Sequence, residues 1–174
     1  NIIYRLDDHM VRVSAPKHLN KEEVRQRLEK HFPKIYQKLS IKQQPMSEDY
    51  VFLFGSKTNI TTPIPENKLK TLLMDYVKKR VEHYRKWMQI PLNYQVRIKT
   101  MKTRFGSNSR KTSTLHFATK LVHFAPEIID SVIIHELVHY YHFDHQTGFY
   151  ETLLRYCPNY WTYHRRLRRG EYTL

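Results

Sequence analysis

The sequence predicts an α+β fold in which a small mixed or antiparallel sheet packs on a long helix and on a second, buried helix. A stripe of apolar side chains at helical spacing between Leu69 and Met88, surrounded by lysines, indicates the long helix. A run of isoleucines, leucine and valines after Pro126 indicates the buried helix. Several short segments that alternate apolar and polar residues are typical of half-buried strands.

The N-terminal region contains two strand segments and one helix. Residues 2–6 and 10–14 nearly alternate, and the Asp7-Asp8 pair between them favours a turn, so we expect a hairpin. Asn20 followed by Glu23 has the spacing of a capping box. The helix that this box begins has apolar residues at helical spacing at Val24, Leu28, Phe32, Ile35 and Leu39.

The middle of the chain supplies a second hairpin and the long helix. Residues 50–54 have strand composition, end at Gly55-Ser56, and are expected to pair with the segment around Ile60. The long helix begins near Pro65, and we expect it to pack beside the second helix. Its apolar stripe consists of Leu69, Leu72, Leu73, Tyr76, Val77, Val81, Tyr84 and Met88.

Two further strands are predicted between the helices. Residues 94–98 alternate apolar and polar side chains, which indicates a half-exposed strand after the helix exit at Pro91. Residues 104–111 are polar and contain a glycine, so they are predicted to form a loop. Residues 114–119 are predicted to form the next strand.

The second helix carries the main chemical motif of the chain. Pro126 suits a first helical turn, and Glu127 places a negative charge at its positive end. His135 and His139 are four residues apart, so one helix face directs both imidazoles to the same ion. Glu136 lies about 100° around the helix, which keeps it off the ion but near a metal-bound water. This is the position of a general base.

A catalytic zinc site needs a third protein ligand, and two histidines are candidates. His142 is seven residues from His135, about 10.5 Å along a helix, so both rings would reach one ion only with strain. His145 follows Asp144, where the helix can end and the chain can turn back, and we predict His145 as the third ligand. The alternative interpretation is that His135 and His139 are satisfied core histidines.

Length and composition indicate one domain spanning residues 1–174, with a strand-rich subregion at 1–62 and a metal-site subregion at 63–174. The single cysteine, Cys157, excludes an internal disulfide and fits a reducing compartment. There is no apolar run near eighteen residues and no signal-peptide layout at the start. We therefore expect a cytoplasmic protein with no membrane partner.

The net charge of +14 and the pI near 9.9 favour anionic partners, including nucleic acid. Trp161, Tyr160 and Tyr163 stand near a basic run at residues 165–169, and this combination suits phosphate contacts and base stacking. A solvated basic surface is the competing interpretation. The same choice applies to the basic residues of the first helix, which are Lys21, Arg25, Arg27, Lys30 and Lys34.

Several segments together resemble the YgjP-like metallopeptidase domain, a relative of the SprT-like proteases. The matching segments are Arg104-Phe-Gly-Ser-Asn-Ser109, Ala125-Pro126, Ile128-Ile-Asp130, Val132-Ile-Ile-His-Glu-Leu-Val-His139, His145, Phe149 and Pro158. The resemblance implies a zincin-like core, a peptidase activity on peptides or proteins, the ligands His135, His139 and His145, and Glu136 as the base. It also places a substrate cleft beside Phe105, Gly106, Ser107, Leu115 and Phe117.

The chain departs from the family pattern at three places. The family loop usually reads Trp-Gly-Ser-Cys-Ser, whereas this chain has Phe105-Gly-Ser-Asn-Ser109. His116-Phe117 replaces a Leu-Asn pair, and Tyr150 stands where a tryptophan is usual. None of these changes affects a predicted metal ligand.

The sequence thus predicts a zinc-dependent metallopeptidase with one ion per chain and Glu136 as general base. Another divalent transition metal can occupy imidazole ligands, so the identity of the ion depends on supply. One alternative is a basic nucleic-acid-binding module whose metal is structural. Another is an interaction module with a vestigial metal site, which the altered loop at residues 105–109 favours.

Overall fold

The computed structural model describes residues 3–7, 10–16, 19–27, 29 and 46–174. The chain divides into two units, residues 1–42 and residues 43–174. The predicted single domain spanning residues 1–174, with its two subregions, stays a prediction.

The first unit contains a hairpin and a capped helix. Strands β1 (Ile3–Asp7) and β2 (Met10–Ser14) pair antiparallel, with Asp7 opposite Met10, so the predicted hairpin is confirmed. Residues 21–27 form helix α1. Its capping box is present, because Asn20 N donates to Glu23 Oε2 at 3.0 Å and Glu23 N donates to Asn20 Oδ1 at 2.8 Å. The predicted apolar continuation at Leu28, Phe32, Ile35 and Leu39 lies outside the described residues.

The second unit begins with a tight hairpin. Strands β3 (Tyr50–Leu53) and β4 (Ser56–Asn59) pair antiparallel, and β4 ends just before Ile60. The two turn residues, Phe54 and Gly55, have φ values of 49° and 79°, as a two-residue hairpin turn requires. A Cβ at Gly55 would also lie 2.7 Å from Ala125 Cα, so this position needs glycine for space as well as conformation.

The long helix α2 (Glu66–Trp87) follows Pro65, as predicted. Leu69, Leu73 and Val77 are among its buried residues, while Leu72, Tyr76 and Tyr84 pack half-buried against the same core. Helix α2 packs against the second predicted helix, so the predicted partnership between the two helices is confirmed. Within the described residues, no helix is both long and apolar enough to cross a membrane.

A three-stranded mixed sheet lies between these helices in the chain. Its order is β5 (Gln95–Lys99), β7 (Thr114–Ala118) and β6 (Gly106–Ser109), with β5 parallel and β6 antiparallel to β7. The prediction of a loop over residues 104–111 is therefore wrong for Gly106–Ser109, which form strand β6. Polar serine and asparagine side chains concealed this strand, because backbone pairing to β7 holds a half-buried edge strand without an apolar pattern.

Three more helices complete the second unit: α3 (Pro126–Val138), α4 (Thr147–Tyr156) and α5 (Tyr160–Arg169). Short 3-10 helices cover Arg110–Thr112 and Thr119–His123. Helix α3 packs against α2, α4, α5 and β6, and its apolar residues from Ile128 to Val138 are buried. Tyr141 lies beyond the end of this helix and is 41% exposed. The α+β class is confirmed, with the motif-bearing helix at the centre of the core.

Candidate metal centre

The structure brings His135, His139 and His145 together. Their ligand nitrogens all lie within 4.8 Å of one another, and the Nε2 atoms of His135 and His145 are 3.2 Å apart. A tetrahedral zinc ion with bonds of about 2.1 Å holds its ligand atoms about 3.4 Å apart, so the cluster fits such an ion. In the part of the chain that the structure describes, it is the one group of at least three histidine, cysteine or acidic side chains with this geometry.

Hydrogen bonds orient two of the three rings. His139 Nδ1 lies 3.1 Å from His142 O, and His135 Nδ1 lies 3.1 Å from the Tyr160 hydroxyl. With the proton on Nδ1, each ring donates to its partner and presents Nε2 to the centre of the cluster. Partners of this kind fix both the tautomer and the direction of a ligating histidine.

The structure separates His142 from the cluster. Its Nε2 lies 3.0 Å from Thr152 Oγ1 on helix α4, so the ring faces another partner. Helix α3 ends at Val138, earlier than the end near Asp144 that the sequence suggested. The turn that follows directs His142 away and returns His145 to the first two histidines.

Burial favours the neutral form of the ligands on helix α3. It lowers the pKa of His135 to about 3, with smaller contributions from His139, His145 and His164. Burial also lowers the pKa of His139. Both rings are therefore neutral at physiological pH, which is the form of imidazole that binds a metal.

Glu136 is next to the cluster but does not belong to it. Its side chain is only 5% exposed, and burial raises the pKa of its carboxyl to about 8, against the opposing effect of Arg104. A Cβ built on Gly106 would lie 2.5 Å from Glu136 Oε1. The edge strand β6 therefore approaches the carboxylate as closely as a glycine allows.

Two other contacts hold the site together. Asn108 Nδ2 donates to Glu136 O at 2.8 Å, which joins strand β6 to helix α3. The Phe149 ring lies 4.7 Å from the His145 ring and 4.9 Å from those of His135 and His139, so one aromatic side chain supports all three. The sequence indicated no role at the metal centre for Asn108 or Tyr160, since each contacts helix α3 from a distant part of the chain.

A cavity of about 840 Å³ opens beside the cluster. Phe105, Gly106 and Ser107 line it, as predicted for a substrate cleft. Leu115 and Phe117 do not, and their prediction as cleft residues is corrected: both are fully buried in the core. They alternate with His116 along the central strand β7, on the sheet face that packs against the helices.

The α+β fold and the histidine cluster are typical of a metallopeptidase, and comparison with known proteins gives the family. The model of the YgjP-like metallopeptidase domain matches residues 53–170, which is more than half of the chain. The chain belongs to this family, and its zincin-like core follows. A metallopeptidase acts on peptide or protein substrates.

Two solved structures are similar to part of the chain. The metallopeptidase zymogen abylysin of Pyrococcus abyssi is 21% identical, with a TM-score of 0.49, over 52% of this chain and 90% of that chain. The metallopeptidase zymogen jannalysin of Methanocaldococcus jannaschii is 26% identical, with a TM-score of 0.47, over 52% of this chain and 95% of that chain. No curated protein matches the chain in sequence.

Proposed function

We propose that this metallopeptidase is zinc-dependent and binds one ion through His135, His139 and His145. The observation that carries the proposal is the convergence of three imidazole nitrogens within 4.8 Å beside a buried glutamate. Three histidine ligands leave one tetrahedral position for a solvent molecule or substrate, as in catalytic zinc sites. A structural site is normally closed by four ligands and rich in cysteine, whereas Cys157 is buried and is not in the cluster.

His135, His139 and His145 would hold the zinc, which would lower the pKa of a water molecule toward about 7 and polarise a peptide carbonyl. The chain supplies the proton transfer. Glu136 accepts the proton of the attacking water and then delivers it to the leaving amine. A nearby cation favours the ionised form of a buried carboxyl, so a loaded site opposes the raised pKa of Glu136.

Strand β6 is suited to position a peptide. Ala118 N donates to Phe105 O, so Phe105, Ser107 and Ser109 face β7 in the antiparallel ladder. Among the described strands β6 lies at the edge of its sheet, so the backbone groups of Gly106 and Asn108 point to an unpaired edge beside Glu136. An extended peptide that pairs with this edge places its backbone in the cavity without reading its sequence.

Metal analysis and one substitution test the proposal. We expect about one zinc per chain by mass spectrometry, lost in His139→Ala and retained in His142→Ala, a neighbouring histidine outside the cluster. Glu136→Gln is expected to keep the zinc and lose at least about a hundredfold in turnover of a peptide library, because general base catalysis contributes about that much. Parent-like turnover in Glu136→Gln would refute the base assignment.

A nucleic-acid contact stays a second prediction, which the net charge of +14 favours. Part of the basic end of helix α5 has partners within the chain: Arg166 Nη1 donates to Thr173 O at 2.8 Å, and Arg169 lies 3.6 Å from Glu171. DNA affinity that falls steeply between low and moderate salt would support the contact. Absence of DNA binding even at low salt would refute the predicted nucleic-acid contact.

A further inference from the structure

We propose that the cleft selects peptide segments with acidic side chains on both sides of the scissile bond. The proposal rests on the peptidase function proposed above and names its substrate class. Arg110 and Lys120 are the residues to which we assign the selection.

The charge of the cavity lining is almost entirely positive. Among the described residues that line it, Glu136 is the only acidic one, and that carboxylate is buried at the metal cluster. An acidic substrate side chain therefore meets no exposed carboxylate among the described residues of the lining. The basic residues of the lining are Lys102, Arg104, Arg110, Lys120 and Arg168.

Two of these cations are held against aromatic rings that also line the cavity. Lys120 Nζ lies 4.2 Å from the centroid of the Phe105 ring and donates to Lys102 O at 3.3 Å. The Arg110 guanidinium carbon lies 3.0 Å from the centroid of the Phe143 ring. Such stacking restricts a long side chain, so less freedom is lost when an anion binds.

The two pairs flank the edge strand. Phe105 immediately precedes β6 (Gly106–Ser109), and Arg110 immediately follows it. A four-residue strand spans about 13 Å, and a peptide paired with its open edge runs from one pair to the other. Because Glu136 lies against Gly106, the scissile bond falls between the two cationic ends. Acidic side chains on both sides of that bond are thus within reach of Lys120 and Arg110.

The same features favour a peptide over a nucleic acid. An edge strand binds through alternating N–H and C=O groups, which a peptide backbone matches and a phosphodiester backbone does not. Base stacking needs open aromatic faces, but a cation covers a face of Phe105 and of Phe143.

Matched peptides test the selection. One cleavable sequence is prepared with Glu, Gln or Lys at the flanking positions, and kcat/KM is measured on zinc-loaded protein at low salt. We expect the Glu peptide to be cleaved about five- to tenfold faster than the Gln peptide and the Lys peptide more slowly, since exposed charge pairs contribute modestly and are screened by salt. The double variant Arg110→Gln and Lys120→Gln should reduce the Glu-to-Gln ratio below about twofold.

The control removes the same charge elsewhere. Lys78→Gln with Lys79→Gln changes two exposed lysines of helix α2 outside this cavity, and should leave the ratio and both rates unchanged. Equal cleavage of the three peptides by the parent would overturn the selection and leave the peptidase function standing.

Failure to cleave any of the peptides would instead refute the peptidase function. The preference for acidic peptides would then be tested by binding, with fluorescence anisotropy of the same peptides carrying a label. Tighter binding of the Glu peptide than of the Gln peptide, with the difference lost in the Arg110→Gln and Lys120→Gln double variant, would support the selection of acidic peptides. Equal binding of the peptides would overturn it. Single-stranded DNA of the same net charge that binds more tightly than the Glu peptide, and loses affinity in the same variant, would overturn it in favour of a nucleic-acid site.

Discussion

The Tyr160 hydroxyl is the contact that orients His135, since it lies 3.1 Å from the ring nitrogen that faces away from the cluster. Tyr160→Phe removes this partner and leaves the ring packing largely intact. We expect zinc affinity to fall about tenfold or more, as for other partners of ligating histidines, with the circular dichroism spectrum unchanged. Competition with a chromophoric chelator measures the affinity.

Tyr163→Phe is the matched control for that experiment. Tyr163 is on the same helix, packs half-buried against the core and does not line the metal-site cavity. Its variant is expected to bind zinc as the parent does. An equal loss of affinity in both variants would show that the effect comes from helix α5 as a whole, rather than from the Tyr160 hydroxyl.

Gly106 sets the position of the proposed base. An alanine Cβ would lie 2.5 Å from Glu136 Oε1 and 2.9 Å from Glu136 Cγ, so the buried side chain has to move. We predict that Gly106→Ala keeps about one zinc per chain and loses about a hundredfold in kcat, because a shift near 1 Å in a catalytic group costs about that much. Parent-like kcat with normal zinc content would contradict this role.

At this scale the sequence predicted contacts within the motif better than contacts across the fold. His135, His139 and His145 share a helix and the turn after it, so spacing and loop length were enough to bring them together. Tyr160 and Asn108 reach helix α3 from other elements, and no local pattern indicates which of thirteen tyrosines will do so.

At the scale of elements, one buried acid joins helices α2 and α3. Asp130 on α3 accepts two hydrogen bonds from Arg80 Nε and one from Arg80 Nη2, together with those from the hydroxyls of Tyr76 and Tyr84. We expect Asp130→Asn to lower the free energy of unfolding by about 2 kcal/mol, below the usual cost of breaking a fully buried pair because Arg80 is 33% exposed. Urea unfolding measures the change.

A surface acid of the same helix pair provides the comparison. Glu82 on α2 pairs with Arg85 at 2.8 Å and with Lys86 at 3.2 Å, but its side chain is 50% exposed. Glu82→Gln is therefore expected to leave the urea midpoint nearly unchanged, since solvent screens exposed pairs. Equal shifts in the two variants would mean that the buried network has no special part in joining the helices.

The open edge of strand β6 makes a prediction about the substrate backbone. If a peptide pairs with the N–H and C=O groups of Gly106 and Asn108, a backbone N-methyl group at the pairing position removes a donor and adds bulk. We expect such a peptide to bind Glu136→Gln protein at least tenfold more weakly than its parent sequence. Unchanged affinity, measured by fluorescence anisotropy, would exclude strand pairing.

Strand β6 also shows why one secondary-structure element was not predicted from the sequence. The positions of helices α2 and α3 and the residues where they begin were predicted correctly, because apolar stripes, Pro65 and Pro126 are local signals. Strand β6 carries only Gly106-Ser-Asn-Ser109, and it is a strand because β7 is available to pair with it. The cleft roles predicted for Leu115 and Phe117 failed for a related reason, since which face of β7 meets the helices depends on tertiary packing.

At the scale of the whole molecule, the core of the second unit consists of buried apolar side chains. Its largest fully buried side chains include Leu73, Phe117 and Ile133, which come from helix α2, strand β7 and helix α3. Apolar burial of this extent stabilises a fold without metal, in contrast to small domains that fold only around zinc. We therefore expect the chain to stay folded when EDTA removes the metal.

Zinc should nevertheless stabilise the folded state, because it binds the assembled cluster and not the unfolded chain. At a free zinc concentration about one hundred times Kd, the gain is about 2.7 kcal/mol, which corresponds to a rise of about 5–10 °C in Tm for a chain of this size. Calorimetry with zinc and with EDTA measures this rise in Tm. We expect the rise to be absent in His139→Ala and to be the same as in the parent in His142→Ala. Unfolding of the parent on EDTA treatment alone would instead make the ion structural, and would favour the basic binding module over the peptidase.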